Sequence, residues 1–335
     1  LRSVLLSLGA DDQVVDALEI LPGTPGRIVR VERSYVAHVG PAGSVHLSVP
    51  RNLPLIPCVG DWATAQDGAV NAVLPRRSLV GRAEAGGTTR QQALAANVTH
   101  VLVAVPASAP VALGRLERLL TLVWSSGATP VVVVTKADVG SVDTAQLESA
   151  APGVEVMTCS AVTGDGLEAL RVLAGPGSTM AVLGASGAGK SSLVNALAGA
   201  EVMPTQDVRS DGRGRHTTVA RQLVQLPTGG VVIDTPGLRA VALWAGADDG
   251  LERAFSDVED LAPDCRFADC AHLSEPGCAV QMAIDAGVLD ARRVESWRKL
   301  GRELTRQANR QDALARRQAG LAWRASHRPT RPPRP

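Results

Sequence analysis

The chain has 335 residues and a formal net charge of +1. It can hold two or three cores, and its charge gives no global field that would select a polyanion, so any nucleic-acid contact must come from a local patch. Aromatic residues are 2% of the chain, which excludes base stacking as a main binding device, and no apolar run is long enough to span a membrane.

Residues 1–26 read as an N-terminal arm. Val4-Leu5-Leu6-Ser7-Leu8 is short and runs straight into Asp11-Asp12, a pattern for a packed helix rather than a signal peptide. Residues 27–80 carry short β-branched runs at 27–31, 35–39, 45–49, 60–64 and 70–74, divided by turn residues such as Gly40-Pro41-Ala42-Gly43. Five short strands in so little chain predict a β-barrel of the oligonucleotide-binding (OB) type. Such a barrel serves either RNA contact or packing alone. Residues 81–97 read as a linker, flexible at Gly86-Gly87-Thr88-Thr89-Arg90. Arg76, Arg77 and Arg82 are candidates for phosphate contact or for an exposed basic linker.

Residues 98–250 alternate strand and helix, the signature of a parallel sheet. Strands are expected at 101–105, 131–134, 154–158 and 180–183, with a helix of leucine spacing at Leu113, Leu116, Leu119 and Leu120. The second strand ends in Thr135-Lys136-Ala137-Asp138 and the third in Cys159-Ser160-Ala161. Ligand sites in such folds lie at the carboxyl ends of strands. There Asp138 can accept two hydrogen bonds from the N1–H and exocyclic amine of guanine, a donor pair that adenine lacks. Lys136 can lie along the base, and Ser160 and Ala161 can reach the guanine carbonyl through backbone N–H groups. The fourth strand runs into Gly184-Ala185-Ser186-Gly187-Ala188-Gly189-Lys190-Ser191-Ser192 and then a helical pattern. Strand, glycine-rich turn and helix together make a P-loop. Its N–H groups point at phosphate oxygens, Lys190 reaches the β- and γ-phosphates, and the Ser191 hydroxyl is a Mg²⁺ ligand. Only Lys136, Lys190 and Lys299 are lysines, arginine supplying nearly all other positive charge. A lysine kept against that bias points to a need for a compact ammonium.

A polar, glycine-rich stretch at 206–218 includes His216, Thr217 and Thr218. A threonine there, Thr218 being favoured, can complete the Mg²⁺ shell in the GTP state. Two further strands form a hairpin ending in Asp234-Thr235-Pro236-Gly237. Asp234 is placed to hold Mg²⁺ through water, and the Gly237 N–H to sense the γ-phosphate.

Residues 251–320 contain Cys265-x4-Cys270-x-His272-x5-Cys278, three of the five cysteines with one histidine. That set predicts one closed, tetrahedral, structural Zn²⁺ in a helical module, and a reducing compartment. Arg292, Arg293, Arg298, Lys299, Arg302, Arg306, Arg310, Arg316 and Arg317 recur along a helical pattern. They form either an RNA-phosphate face or a solvated helix with internal ion pairs. Residues 321–335, rich in proline and arginine, read as a disordered basic tail.

Ordinary small GTPases present these motifs in the order P-loop, switch threonine, DxxG, N/TKxD, SA. Here the order is TKAD, SA, P-loop, HTT, DTPG, which is a circular permutation. With a barrel before it and a Cys/His cluster after it, the chain resembles the circularly permuted, ribosome small-subunit-dependent GTPase A family. The fold class expected is an N-terminal OB-type barrel, a central α/β P-loop GTPase domain and a C-terminal α-helical zinc module. The resemblance implies GTP hydrolysis to GDP, stimulated by the small ribosomal subunit, in that subunit's late maturation. It further implies contact with its rRNA, and a monomeric, cytoplasmic protein with no membrane. Leu238 follows DTPG where ordinary enzymes have a water-orienting glutamine nearby. Intrinsic turnover is therefore expected to be slow, and His216 is the candidate for positioning water. A competing reading is an RNA- or ribosome-binding scaffold whose bound guanine nucleotide is structural. An ATPase is disfavoured by Asp138.

Overall fold

In the computed structural model, residues 1–83, 91–203, 222–234, 243 and 246–326 are described. Two short helices, α1 (Arg2–Ser7) and α2 (Asp12–Glu19), form the arm, α2 being capped by the Asp11 carboxylate accepting from the Val14 N–H at 2.9 Å. Strands β1 (Thr24–Val31), β2 (Tyr35–Gly40), β3 (Gly43–Ser48), β4 (Trp62–Gln66) and β5 (Ala69–Val73) close into a barrel in the order β1-β2-β3-β5-β4. That is the expected OB-type arrangement. Ile28, Val36, Leu47, Ala63 and Val70 fill its interior. Leu5, Leu8, Val14, Val15 and Leu18 of the arm cover Trp62 on its outer wall. Arg27 is fully buried beside them, its guanidinium 4.5 Å from the Trp62 ring. It donates to the carbonyls of Leu8, Gly60 (3.1 Å) and Asn97 (3.4 Å). One side chain thus ties arm, barrel and the chain beyond the barrel together, and burial pushes it down to about 9.

The expected flexible linker is a β-ribbon in part. β6 (Leu79–Ala83) pairs antiparallel with β7 (Gln91–Ala96), and residues 84–90 lie outside the described residues. Val80, Leu94, Ala95 and Ala96 are buried, so packing orders the flanks of the stretch expected to be flexible, while Gly86-Gly87-Thr88-Thr89-Arg90 lies outside the described residues. Arg76 and Arg77 are internal ties. Arg76 makes a bidentate pair with the buried Asp61 at 2.7 Å, and Arg77 pairs with Asp11 of the arm.

The central sheet has the order β10-β9-β8-β11-β13-β12. Its strands are β8 (His100–Pro106), β9 (Thr129–Thr135), β10 (Glu155–Thr158), β11 (Thr179–Gly184), β12 (Leu223–Gln225) and β13 (Val231–Ile233). All neighbours pair parallel except β12, antiparallel to β13. Helices α3 (Leu113–Ser125), α4 (Thr144–Ala150), α5 (Leu167–Leu173) and α6 (Lys190–Ala198) make the crossovers. One face packs Leu102, Val133, Met180 and Val182 against Leu170 of α5 and Leu193, Val194 and Leu197 of α6.

The other face continues into the C-terminal helices α7 (Asp248–Ala254), α8 (Ser256–Glu259), a 3₁₀ turn (Ala262–Asp264), α9 (Ala279–Asp285) and α10 (Ala291–Ser326). Val103, Leu120 and Val132 belong to the same core cluster as Leu251, Phe255, Val280, Val294 and Leu304. The 36-residue α10 runs into the segment expected as tail, to Ser326. Its start is pinned by charge. Glu117 of α3, fully buried, accepts from Arg292 (2.9 Å), Arg293 (3.2 Å) and Ser296 (2.5 Å). Arg293 also holds Asp257 and the carbonyls of Ala150 and Ala254. Arg292 and Arg293 therefore leave the expected RNA face. Sequence periodicity could not separate buried from exposed arginines, because both recur at helical spacing.

Removing one partner of a buried charge cluster strands the others. Glu117→Ala is expected to destabilise the protein by about 3 kcal/mol in urea unfolding. Arg118→Ala, breaking the partly exposed pair with Glu303 (2.6 Å), should cost about 1 kcal/mol or less. Equal small costs would show that the Glu117 cluster does not anchor α10.

Candidate functional site

Parallel pairing lines up the carboxyl ends of β8, β9, β10, β11 and β13 along one edge of the sheet. The register pairs Pro106 with Thr135 and Ala104 with Gly184. Residues 135–138 and the P-loop, far apart in sequence, are thereby brought side by side. They line a cavity of about 250 Å³, with Thr135, Lys136, Asp138, Val139, Cys159, Ala161, Val162, Gly189, Ser192 and Leu193 in its wall.

The P-loop passes close over β8. A Cβ on Gly184 would sit 2.6 Å from the Ala104 carbonyl oxygen, so only glycine fits there. Gly187 and Gly189 hold φ of +77°, and Gly189 opens α6. Lys190 donates to the carbonyls of Gly184 (3.2 Å) and Ala185 (2.6 Å), which keeps its ammonium over the loop. Ser191 follows in the first turn of α6, where the helix N-terminus favours anions. Asp234 lies one residue beyond β13, whose neighbour is the P-loop strand β11. A serine hydroxyl and a carboxylate at those places suit a hard cation such as Mg²⁺.

Thr135 is buried, and its hydroxyl donates to the Ala188 carbonyl at 2.8 Å. It latches the end of β9 to the P-loop. Lys136 follows with φ of +60°. Ser160 accepts the N–H groups of Val162 and Thr163, each at 3.1 Å, and donates its hydroxyl to Asp138 at 2.7 Å. With both acceptor positions met by N–H donors, the Ser160 proton is directed at Asp138, and this orients the carboxylate. The Ser160 N–H is spent on the Asp165 carbonyl (2.9 Å), so the expected contact of that N–H with the base is corrected to this positioning role. Ala161 remains in the cavity wall. The buried Cys159 thiol is raised to about 11 by burial, a structural and unreactive state.

A family model described as RsgA GTPase matches residues 73–244. The chain is also 45% identical over 333 residues, 94% of this chain and 90% of the relative, to the small ribosomal subunit biogenesis GTPase RsgA of Streptomyces coelicolor. The chain belongs to the RsgA GTPase family. It is accordingly a GTP-hydrolysing enzyme. An RsgA relative from Lactiplantibacillus plantarum is 39% identical, covering 84% of each chain. The crystal structure of YjeQ from Thermotoga maritima matches with a TM-score of 0.63 at 27% identity, covering 84% of this chain and 98% of that one. YloQ, described as a circularly permuted GTPase, matches in fold with a TM-score of 0.60 at 22% identity, covering 85% of this chain and 96% of that one.

The chain carries a second cluster outside this cavity. The ligand atoms of Cys265, Cys270, His272 and Cys278 lie within 4.8 Å of one another. A tetrahedral Zn²⁺ with its usual bond lengths sets sulfur–sulfur and sulfur–nitrogen separations of roughly 3.8 Å and roughly 3.5 Å. Cys265 and Cys278 Sγ are 3.8 Å apart, and each is 3.5 Å from His272 Nδ1. The residues therefore fit the ion. Gln281 N–H donates to Cys278 Sγ at 3.4 Å, placing the start of α9 against that sulfur. Glu275 accepts the N–H groups of Ala271, Leu273 and Ser274, and Arg298 donates to the Ala271 carbonyl at 3.3 Å. His216, Thr217, Thr218 and Gly237 lie outside the described residues, as does Leu238.

Sequence reasoning missed the orienting role of Ser160 and the latch at Thr135. A hydroxyl after a cysteine at a strand end was the available signal for the first. Chelation is expected to release one zinc per chain and change the fluorescence of Trp297, whose ring lies 5.4 Å from His272. Metal analysis of purified protein checks this, and a protein free of zinc with unchanged Trp297 emission would refute it.

Proposed function

We propose that this enzyme hydrolyses GTP during maturation of the small ribosomal subunit and that the subunit stimulates the reaction. The observation that carries the guanine reading is the Asp138 carboxylate, held by Ser160 in a cavity shared with the P-loop. The ribosomal reading is supported by the relatives named small ribosomal subunit biogenesis GTPase. Lys136 lies along the base, residues 184–192 cradle the phosphates, and Lys190 neutralises charge developing on the γ-phosphoryl group. Ser191, Thr218 and Asp234 hold Mg²⁺, which neutralises phosphate charge when bound. The Gly237 N–H meets the γ-phosphate, and His216 positions water. Zn²⁺ on Cys265, Cys270, His272 and Cys278 is structural.

Contact with rRNA is assigned to the exposed length of α10. Lys299, Arg302, Arg306, Arg310 and Arg317 are exposed and fall on one stripe of the helix at its period of 3.6 residues. Tyr35 and His46, with ring centroids 4.6 Å apart and planes tilted by 54°, add a small aromatic pair on the barrel surface. The protein acts as a cytoplasmic monomer. No helix among the described residues is long and apolar enough to cross a membrane. The domain limits 27–80, 98–250 and 251–320 are offered as working boundaries for truncation.

GTP turnover is expected to rise with purified small subunits, but not with large subunits, and ATP should not be hydrolysed. Absence of stimulation would favour the scaffold reading, for which Leu238 in place of a water-orienting residue is the supporting observation. Asp138→Ala should weaken GTP binding by on the order of 100-fold with no gain for ATP, since the acceptor for two guanine donors is lost. Unchanged GTP affinity in a direct binding assay would remove Asp138 from base recognition.

A further inference from the structure

We propose that Glu275 is a positioning residue for the zinc centre, its carboxylate clamping the backbone on both sides of His272 and so aiming the imidazole at the metal. This rests on the Zn²⁺ assignment made above for Cys265, Cys270, His272 and Cys278, and adds to it a residue outside the ligand set.

The three cysteines are placed by local backbone structure. Cys265 closes the 3₁₀ turn, its N–H donating to the Ala262 carbonyl at 3.2 Å. Cys270 closes a turn in which its N–H donates to the Phe267 carbonyl at 3.2 Å. Cys278 caps α9, and the Gly277 carbonyl before it accepts the Arg266 N–H at 3.0 Å, which joins the two ends of the loop. His272 lies between Cys270 and Cys278, where the chain forms neither helix nor strand. It is buried, and its φ of +57° is in the left-handed region, which a residue with a Cβ enters at a cost. Neighbouring groups must hold it there.

Glu275 supplies the main hold. Its Oε1 accepts the N–H of Ala271 at 3.1 Å, and its Oε2 accepts those of Leu273 at 2.7 Å and Ser274 at 3.1 Å. Ala271 precedes His272 and Leu273 follows it. Three donors thus converge on one anionic group, and hydrogen bonds to an ionised acceptor are stronger than neutral ones. The carbonyls on the same stretch are held from the helices, that of His272 by the Gln281 side chain and that of Ala271 by Arg298. With the backbone fixed in this way, His272 Nδ1 stands 3.5 Å from the sulfurs of Cys265 and Cys278.

Groups behind the ligands of a metal typically contribute about 10- to 100-fold to its affinity, because they orient the ligands before the ion arrives. The Glu275 carboxylate is outside the cluster of four ligand atoms, so its effect must pass through His272. A residue that merely closed the loop would stabilise zinc-free and zinc-loaded protein alike and leave zinc affinity unchanged. Glu275→Gln keeps one acceptor oxygen and turns an NH₂ group toward donors, so it preserves only part of the clamp.

The test is competition for Zn²⁺ between a chromogenic chelator and the full chain, as wild type, Glu275→Ala and Glu275→Gln, with GDP affinity and the absorption spectrum of the Co²⁺-loaded protein measured on each. Glu275→Ala is expected to bind zinc on the order of 10- to 100-fold more weakly, with Glu275→Gln between it and wild type and GDP affinity within about twofold. At saturating Co²⁺ the sulfur-to-cobalt charge-transfer and d–d bands should match wild type, because the four ligands are unchanged. Zinc affinity within about twofold of wild type in Glu275→Ala overturns the proposal. Bands altered at saturating Co²⁺ overturn it as well, since Glu275 would then be a ligand. If Glu275→Ala loses GDP affinity, Glu275→Gln decides, and wild-type zinc affinity in that variant overturns the proposal. Wild-type protein that binds neither Zn²⁺ nor Co²⁺ refutes the metal assignment itself, and the proposal falls with it.

Discussion

Parallel pairing of β9, β8, β11 and β13 is the constraint on which the site depends. Parallel strands bring all their carboxyl ends to one edge, so whatever follows each strand meets there. Thr135 to Asp138, the P-loop and Asp234 are far apart in the chain and adjacent at that edge. Moving the start of the chain within such a sheet changes the order of the motifs and leaves their positions alone. This is why a permuted sequence can build an ordinary guanine-nucleotide site. The Thr135 hydroxyl on the Ala188 carbonyl then joins two of those loops directly.

The permutation does alter what lies next to the site. The next described element after Asp234 is α7, and the cysteine cluster follows it. The C-terminal helices share a core with the sheet face that carries α3, and the Glu117–Arg293–Asp257 cluster adds charge to that contact. Gly250 of α7 lies directly on α3, where a Cβ would be 2.3 Å from the Thr121 carbonyl oxygen. Arg253 stacks 3.8 Å from the Trp124 ring beside it. The C-terminal helical module is therefore seated on α3 as well as tethered to the chain that follows Asp234.

Arginine does two jobs here that lysine would do poorly. Arg27, Arg76 and Arg293 are buried or nearly so, and each spreads a planar fork over several acceptors. A weakly hydrated guanidinium with five donors tolerates such places, whereas an ammonium is a strongly hydrated point charge. The exposed arginines of α10 belong to a different class, facing water along one stripe. Both classes look alike as letters, which is why the basic run was legible as basic but not as two populations.

The sequence by itself determined the local chemistry of this protein. The glycine spacing of the P-loop, the acidic position in TKAD and the Cys/His spacing each need particular residue types in a short window, and so they are readable without a fold. The barrel strands and the alternation of the central domain were equally legible, because burial on one face or two leaves a periodic record. Tertiary structure alone decided what distant residues do for one another. It turned part of the expected linker into the β6–β7 ribbon, drew Arg76 and Arg293 inward, and made Ser160 the support for Asp138. Those assignments rest on which groups meet across space, and a hydroxyl, amide or guanidinium carries no mark in sequence of the partner that will satisfy it.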